Sequence, residues 1–256
     1  PTVFTLANPY RLVLDIPLVS ASGTTRGTPS PRPTPASPAM APSVERPAVT
    51  TPWEERSFQT PRGPVRVLVL TCTPTAVRPV LAGPTIRERA PVSLIAAQHK
   101  AIAAVNGGYF DWSGPPLGML VIDGEWIKHP MLNRCVLGIT TAGQALMGRL
   151  RFKSSVTIER VGRFTLAGLN TGHAEADTAI LYTRRWGREL VVRTSQAVAV
   201  IDAQGRVCQV AEGPLTLTIP AEGYILSATG QLACRLAQAR ESDRVQLDLD
   251  TDPPWP

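Results

Sequence analysis

The sequence predicts an α+β fold: a large sheet, mixed to mostly antiparallel, with few helices. Three observations carry this expectation. Short β-branched runs recur along most of the chain, glycines punctuate them at hairpin spacing, and only two stretches show helical periodicity.

Taken in order, Thr2–Leu6 and Arg11–Ile16 read as two short strands joined at Ala7-Asn8-Pro9, with Leu12 and Leu14 on one face of the second. From Ser20 to about Pro52 the chain is mostly Pro, Ser, Thr, Ala and Gly. Such a segment cannot bury enough apolar surface to offset its ordering entropy, so residues 20–52 are expected to be a disordered linker. A third region, 53–256, then begins as the main domain. Val65–Leu70 is a β-branched strand. Residues 91–100 read as a helix, with Pro91 suited to its first turn and Val92, Ile95 and His99 on one face. Ala101–Asn106 reads as a buried strand running into two glycines. Further strands are expected at 119–122, 134–140, 145–151, 155–160, 163–168, 178–182, 189–193, 196–201, 206–210, 214–219, 223–228 and 244–249, with turns at Gly124, Gly143, Gly187 and Gly205. The second helix covers Gln231–Ala239. There is no internal repeat.

Composition narrows the function classes. The net charge of +6 over 256 residues is carried almost wholly by arginine. Those arginines are scattered, with no basic run longer than Arg184-Arg185 and no aromatic–basic pattern, which argues against a nucleic-acid partner. A solvated basic surface or a phosphate-bearing substrate accounts for the charge. No apolar run approaches the roughly 20 residues needed to span a bilayer. Cys72, Cys135, Cys208 and Cys234 include no Cys-x-x-Cys pair, which argues against a zinc ribbon or thioredoxin-like site. Cys208 with Cys234 is the disulfide to test first, with buried free thiols as the alternative.

The stretch that carries chemistry is Asn106-Gly107-Gly108-Tyr109-Phe110-Asp111. Adjacent glycines let a backbone turn sharply and approach a ligand, and Asn106 and Asp111 flank them with a donor–acceptor amide and a carboxylate. On pattern alone, a glycine turn capped by those two side chains fits as well. Asp248, Asp250 and Asp252 share one strand face, an arrangement open to a divalent cation but more usually that of a solvated face. No cofactor or metal motif is otherwise present.

Ala103–Asp111, followed by Pro116-Leu117-Gly118 and Ile122-Asp123-Gly124, resembles the signature of the phosphodiester glycosidase family. Leu137-Gly138-Ile139, Leu169-Asn170, Ile180–Thr183 and Ile219–Ser227 resemble later portions of the same family, over roughly residues 60–250. The resemblance implies hydrolysis of a sugar-1-phosphodiester, releasing the sugar and leaving a phosphomonoester. It makes Asp111 the catalytic carboxylate and Asn106, Gly107, Gly108 and Tyr109 substrate-binding. His173, near the family's Asn/Arg portion, becomes a second catalytic candidate ahead of His129, while His99 reads as a core histidine. Arg184 and Arg185 become candidate phosphate contacts, a hairpin surface being their other reading. The family's second signature, Asn-Leu-Asp-Gly-Gly-Gly-Ser-Ser near the C-terminus, has no counterpart before Pro253-Pro254-Trp255-Pro256, so the domain is expected to be C-terminally incomplete.

Asn8-Pro9-Tyr10-Arg11-Leu12-Val13-Leu14-Asp15-Ile16 resembles the end of an AMIN domain, a β module of bacterial envelope proteins, which makes residues 1–19 its remnant. This implies a periplasmic or secreted protein acting on envelope or exopolysaccharide glycans, with peptidoglycan as a partner of the first segment. The rival expectation is a non-catalytic glycan- or peptidoglycan-binding protein.

Overall fold

The structure is a computed structural model describing residues 3–6, 11–15, 53–131 and 134–255. The chain divides into two units, Pro1–Cys72 and Thr73–Pro256. The expected linker at 20–52 and the Ala7-Asn8-Pro9 connection lie outside the described residues.

The first unit is a four-stranded antiparallel sheet in the order Val3–Leu6, Arg11–Asp15, Gly63–Leu70, Trp53–Thr60. Trp53–Thr60 was not expected as a strand, because its run of charged and polar residues hides the alternation. Its turn explains it: the Thr60 hydroxyl donates to the Gly63 carbonyl at 2.8 Å and accepts from Arg62 N–H at 3.2 Å. Pairing of Leu14 with Leu68 joins this hairpin to the first strands. The unit boundary therefore falls after Cys72, and residues 53–72 group with the first strands instead of opening the main domain.

The second unit is built on a five-stranded sheet in the order Gly168–Leu169, Ala179–Tyr182, Gly223–Thr229, Gln196–Asp202, Val207–Glu212, parallel only at its first pair. Its inner strands are apolar on both faces, which only a sheet covered on both sides can satisfy. Period-two alternation sorts them. Ala179, Leu181, Ala197, Ala199, Ile201, Leu226 and Ala228 face one core, closed by the helix Gly230–Leu236 and by Val156, Ile158 and Phe164 of a second, three-stranded sheet. Ile180, Tyr182, Val198, Val200 and Ile225 face the other, closed by Leu190, Val192 and Ile219. The sheet-rich, mainly antiparallel architecture with few helices is as the sequence predicts.

The helix Gly230–Leu236 starts where a side chain from outside it supplies the missing acceptor: Asp177 accepts from Gln231 N–H. Gly230 has φ +58°, and a Cβ there would sit 2.2 Å from Asp177 Oδ1, so glycine alone fits. Near the chain end the Trp255 ring lies against the hairpin Cys135–Ile139/Ala145–Arg149, where a Cβ on Gly138 or Gly148 would approach it to 2.6 or 2.9 Å. Gly148→Val is expected to displace this ring and cost about 1–3 kcal/mol by overpacking, read by urea denaturation with a red-shifted tryptophan emission.

Four expectations are corrected. Ala101–Asn106 is neither a strand nor buried: Ile102 is 59% and Val105 40% exposed. The run is apolar enough for a core strand, but no strand among the described residues pairs with it. His99 is an exposed helix C-cap instead of a core residue, because the helix ends at Gln98. Cys208 and Cys234 are free, and all four cysteines are exposed, so neither the disulfide nor the buried thiols hold. Glu125–Lys128 forms the returning strand of the Asp123-Gly124 hairpin, absent from the expected strands because its own pattern is too short.

Candidate functional site

Asn106–Asp111 lies exposed along its whole length. Neither Gly107 nor Gly108 has a positive φ, and a Cβ on either would meet nothing within 4 Å. Their contribution is thus an uncovered backbone and not a forced turn. The turn comes after them. Asp111 N–H donates to the Pro115 carbonyl and its own carbonyl accepts from Gly114 N–H, each at 2.8 Å. Gly114 has φ +112°, and its Cα hydrogen faces the Arg87 carbonyl, 2.4 Å from where a Cβ would stand. Asp111 Oδ1 accepts from the Ser113 hydroxyl at 2.6 Å and from Ser113 N–H at 2.8 Å. These bonds, the side-chain one first, hold the carboxyl below its ordinary range, so it is ionised at neutral pH. The Arg134 guanidinium lies 4.8 Å from the Tyr109 ring centre.

Leu117 N–H donates to the Tyr109 carbonyl at 2.9 Å, so this segment is bound to the strip that forms one wall of a cleft. The cleft has a volume of about 470 Å³ and is lined by Leu117, Gly118, the Lys128–Met131 segment, Arg151, Phe152, Ala167 and Thr171. That volume lies in the roughly 300–1,000 Å³ range of small-molecule sites. Among the described residues, two cations line it and no carboxylate does.

Lys128 is buried and donates to the Asn170 carbonyl at 2.7 Å. Burial pushes its pKa down to about 8. His129 Nδ1 lies 3.1 Å from both the N–H and the carbonyl oxygen of Leu169, so the Leu169 backbone holds that side of the ring in either tautomer. Burial first, and the neighbouring Lys128 charge last, bring its pKa to about 4, so the ring is neutral at physiological pH. A Cβ on Gly168 would stand 2.6 Å from Thr171 Cγ2 and 3.1 Å from His129 Cε1, so a glycine is what lets these two walls close.

Asn170 ties the cleft floor together. Its Nδ2 donates to the Ile127 carbonyl at 2.8 Å and to the Thr183 hydroxyl at 2.9 Å, and its Oδ1 accepts from Thr183 N–H at 2.9 Å. The side chain is fully buried, and φ is +50°, a conformation asparagine tolerates better than most residues.

The remaining predicted residues stand elsewhere. His173 Nε2 lies 3.0 Å from the Ser227 hydroxyl and Nδ1 2.7 Å from that of Thr178, so both ring nitrogens are occupied; burial, then Arg193, lower its pKa. Arg184 donates to the Ile219 carbonyl at 2.8 Å, and Arg185 pairs with Glu125 while donating to the Pro84 carbonyl at 3.3 Å. None of these three lines the cleft. Among the described residues no group of three or more His, Cys, Asp or Glu is placed to hold a metal ion; Asp252 pairs with Arg151 at 2.7 Å. Lys128 and Arg151 were not singled out from sequence. The available signal was a lysine on the inward side of the Asp123-Gly124 hairpin in a chain that otherwise uses arginine.

The depressed lysine pKa predicts a stability signature. Between about pH 8 and the ordinary lysine value the unfolded chain binds the proton that folded Lys128 has shed, so stability from this group rises with pH. Lys128→Met is expected to remove that rise, measured as the difference between wild-type and variant urea midpoints at pH 7 and pH 10.

No protein-family profile matches the chain, and no curated protein matches it. Its likenesses are to solved structures. A hypothetical protein from Synechocystis aligns at 26% identity and a TM-score of 0.66, over 78% of this chain and 39% of that one. A protein of Burkholderia pseudomallei K96243 described as exported aligns at 21% identity and a TM-score of 0.52, over 66% of this chain and 42% of that one. This chain therefore spans less than half the length of either. No helix among the described residues is long and apolar enough to cross a membrane.

Proposed function

We propose that this α+β domain hydrolyses a sugar-1-phosphodiester of the cell envelope or of an exopolysaccharide. The observation that carries the reading is an ionised carboxylate, Asp111, on a segment hydrogen-bonded to the wall of a cationic cleft. In the proposed reaction Asp111 takes a proton from water, whose oxygen bonds to C1 of the sugar. The C1–O bond breaks with its electron pair going to the phosphate oxygen, and a phosphomonoester leaves. Asn106 and the open amides of Gly107 and Gly108 orient the sugar. A phosphate leaving group is already acidic, so charge neutralisation by cations matters more than a proton donor.

The exported Burkholderia protein supports a periplasmic or secreted location, and the AMIN-like strands Val3–Leu6 and Arg11–Asp15 support a peptidoglycan partner. A second reading, glycan binding without turnover, is favoured by one observation: Asp111 and His173 do not meet in the cleft, and both His173 nitrogens are occupied. The test is ³¹P NMR of the protein with a hexose-1-phosphate methyl diester. Conversion to methyl phosphate supports hydrolysis; an unchanged diester in the presence of folded protein that binds it supports the second reading.

A further inference from the structure

The geometry points to the cleft lined by Lys128 and Arg151 as the phosphoryl subsite, one that holds a phosphomonoester dianion more tightly than a phosphodiester monoanion. The identity of that ligand rests on the proposed reaction; the anion site itself rests on the lining. Four observations lead there. Lys128 and Arg151 both line the cleft, and no carboxylate among the described residues lines it with them. Lys128 is buried, and its one bond in the structure, to the Asn170 carbonyl, neutralises nothing. A buried ammonium without a counter-ion gains most from an anion that replaces its lost hydration. Beside it, His129 is a neutral ring anchored through Nδ1 to the Leu169 backbone, a polar lining group that adds no charge of its own.

Arg151 supplies the second cation. Its guanidinium pairs with Asp252 at 2.7 Å, but its side chain is 70% exposed. A planar guanidinium has donors enough for both a carboxylate and a phosphoryl oxygen. Arg184 and Arg185, the phosphate contacts suggested by sequence, already donate to carbonyls or to Glu125. The dianionic product gains more than the monoanionic substrate from the unpaired Lys128 charge and from the guanidinium that Arg151 shares with Asp252, so product inhibition by the phosphomonoester follows. The larger apolar side chains of the lining, Leu117, Pro130, Met131 and Phe152, suit the organic group that the phosphate carries.

The experiment titrates the full chain with methyl phosphate and with dimethyl phosphate by isothermal calorimetry at low salt. Expected results are at least tenfold tighter binding of methyl phosphate, a tenfold or greater loss in Lys128→Met and in Arg151→Gln, and tighter binding in Asp252→Asn, which frees Arg151. Circular dichroism establishes that each variant is folded. Unchanged affinity in both Lys128→Met and Arg151→Gln, or a loss confined to Arg184→Gln, overturns the subsite. The two proposals fail separately. Methyl phosphate binding lost in Lys128→Met without any diester turnover removes the glycosidase and keeps the subsite. Turnover with methyl phosphate affinity indifferent to both variants does the reverse.

Discussion

Asn170→Ala is expected to destabilise the second unit by about 3–5 kcal/mol. The change removes three side-chain hydrogen bonds and leaves the Ile127 carbonyl and Thr183 N–H without their partner. A buried polar group left unpaired costs about 1–3 kcal/mol, and a left-handed alanine adds about 1 kcal/mol of backbone strain. Asn170→Gly separates the two causes, since it relieves the φ of +50° but restores no bond. Its urea midpoint should fall between wild type and alanine, nearer to alanine. The alanine variant should also disturb Lys128, whose ammonium is held by the carbonyl of that same residue. A midpoint within 1 M urea of wild type for Asn170→Ala would contradict this account of the floor.

Asp111→Asn is expected to lower kcat on a hexose-1-phosphate diester by about 10²–10⁴-fold, the range of a lost general base, with little change in stability. An asparagine oxygen still accepts from Ser113 N–H and hydroxyl, so the turn survives while the base does not. The direction of the pKa shift fixes the pH profile. Hydrogen bonds from Ser113 hold the carboxyl below the ordinary aspartate value, so the active, ionised form persists to lower pH than a free aspartate would allow. The acid limb of kcat/KM should therefore lie below the usual aspartate range, and Ser113→Ala should move it up. A variant Asp111→Asn with wild-type turnover removes Asp111 from the reaction.

The main sheet could be read from the sequence because its code is local. In Gln196–Asp202 and Gly223–Thr229 every residue commits to one face or the other, and each strand is bounded by a glycine or polar turn. Trp53–Thr60 escaped because an exposed hairpin is specified by its turn and its partner, not by its apolar pattern. Ala101–Asn106 misled for the opposite reason: apolar content predicts burial only where a partner covers it. The cleft was the hardest part. Leu117, Lys128, Arg151 and Thr171 come from separate segments, and the fully buried Asn170, which ties the Ile127–Lys128 segment to Thr183, has side-chain partners 13 and 43 residues away in the chain. No sequence spacing encodes such a contact. The Asn106–Asp111 segment was found by resemblance, yet its backbone held a surprise: the conformationally demanding glycine is Gly114, not Gly107 or Gly108.

The central claim is that water attacks carbon and not phosphorus. Hydrolysis of a hexose-1-phosphate methyl diester in ¹⁸O-labelled water, followed by mass spectrometry of the sugar and ³¹P NMR of the methyl phosphate, tests it directly. The account predicts the label at the C1 hydroxyl of the released sugar and an unlabelled methyl phosphate. Label in the phosphate, or no hydrolysis by the folded chain, would contradict it.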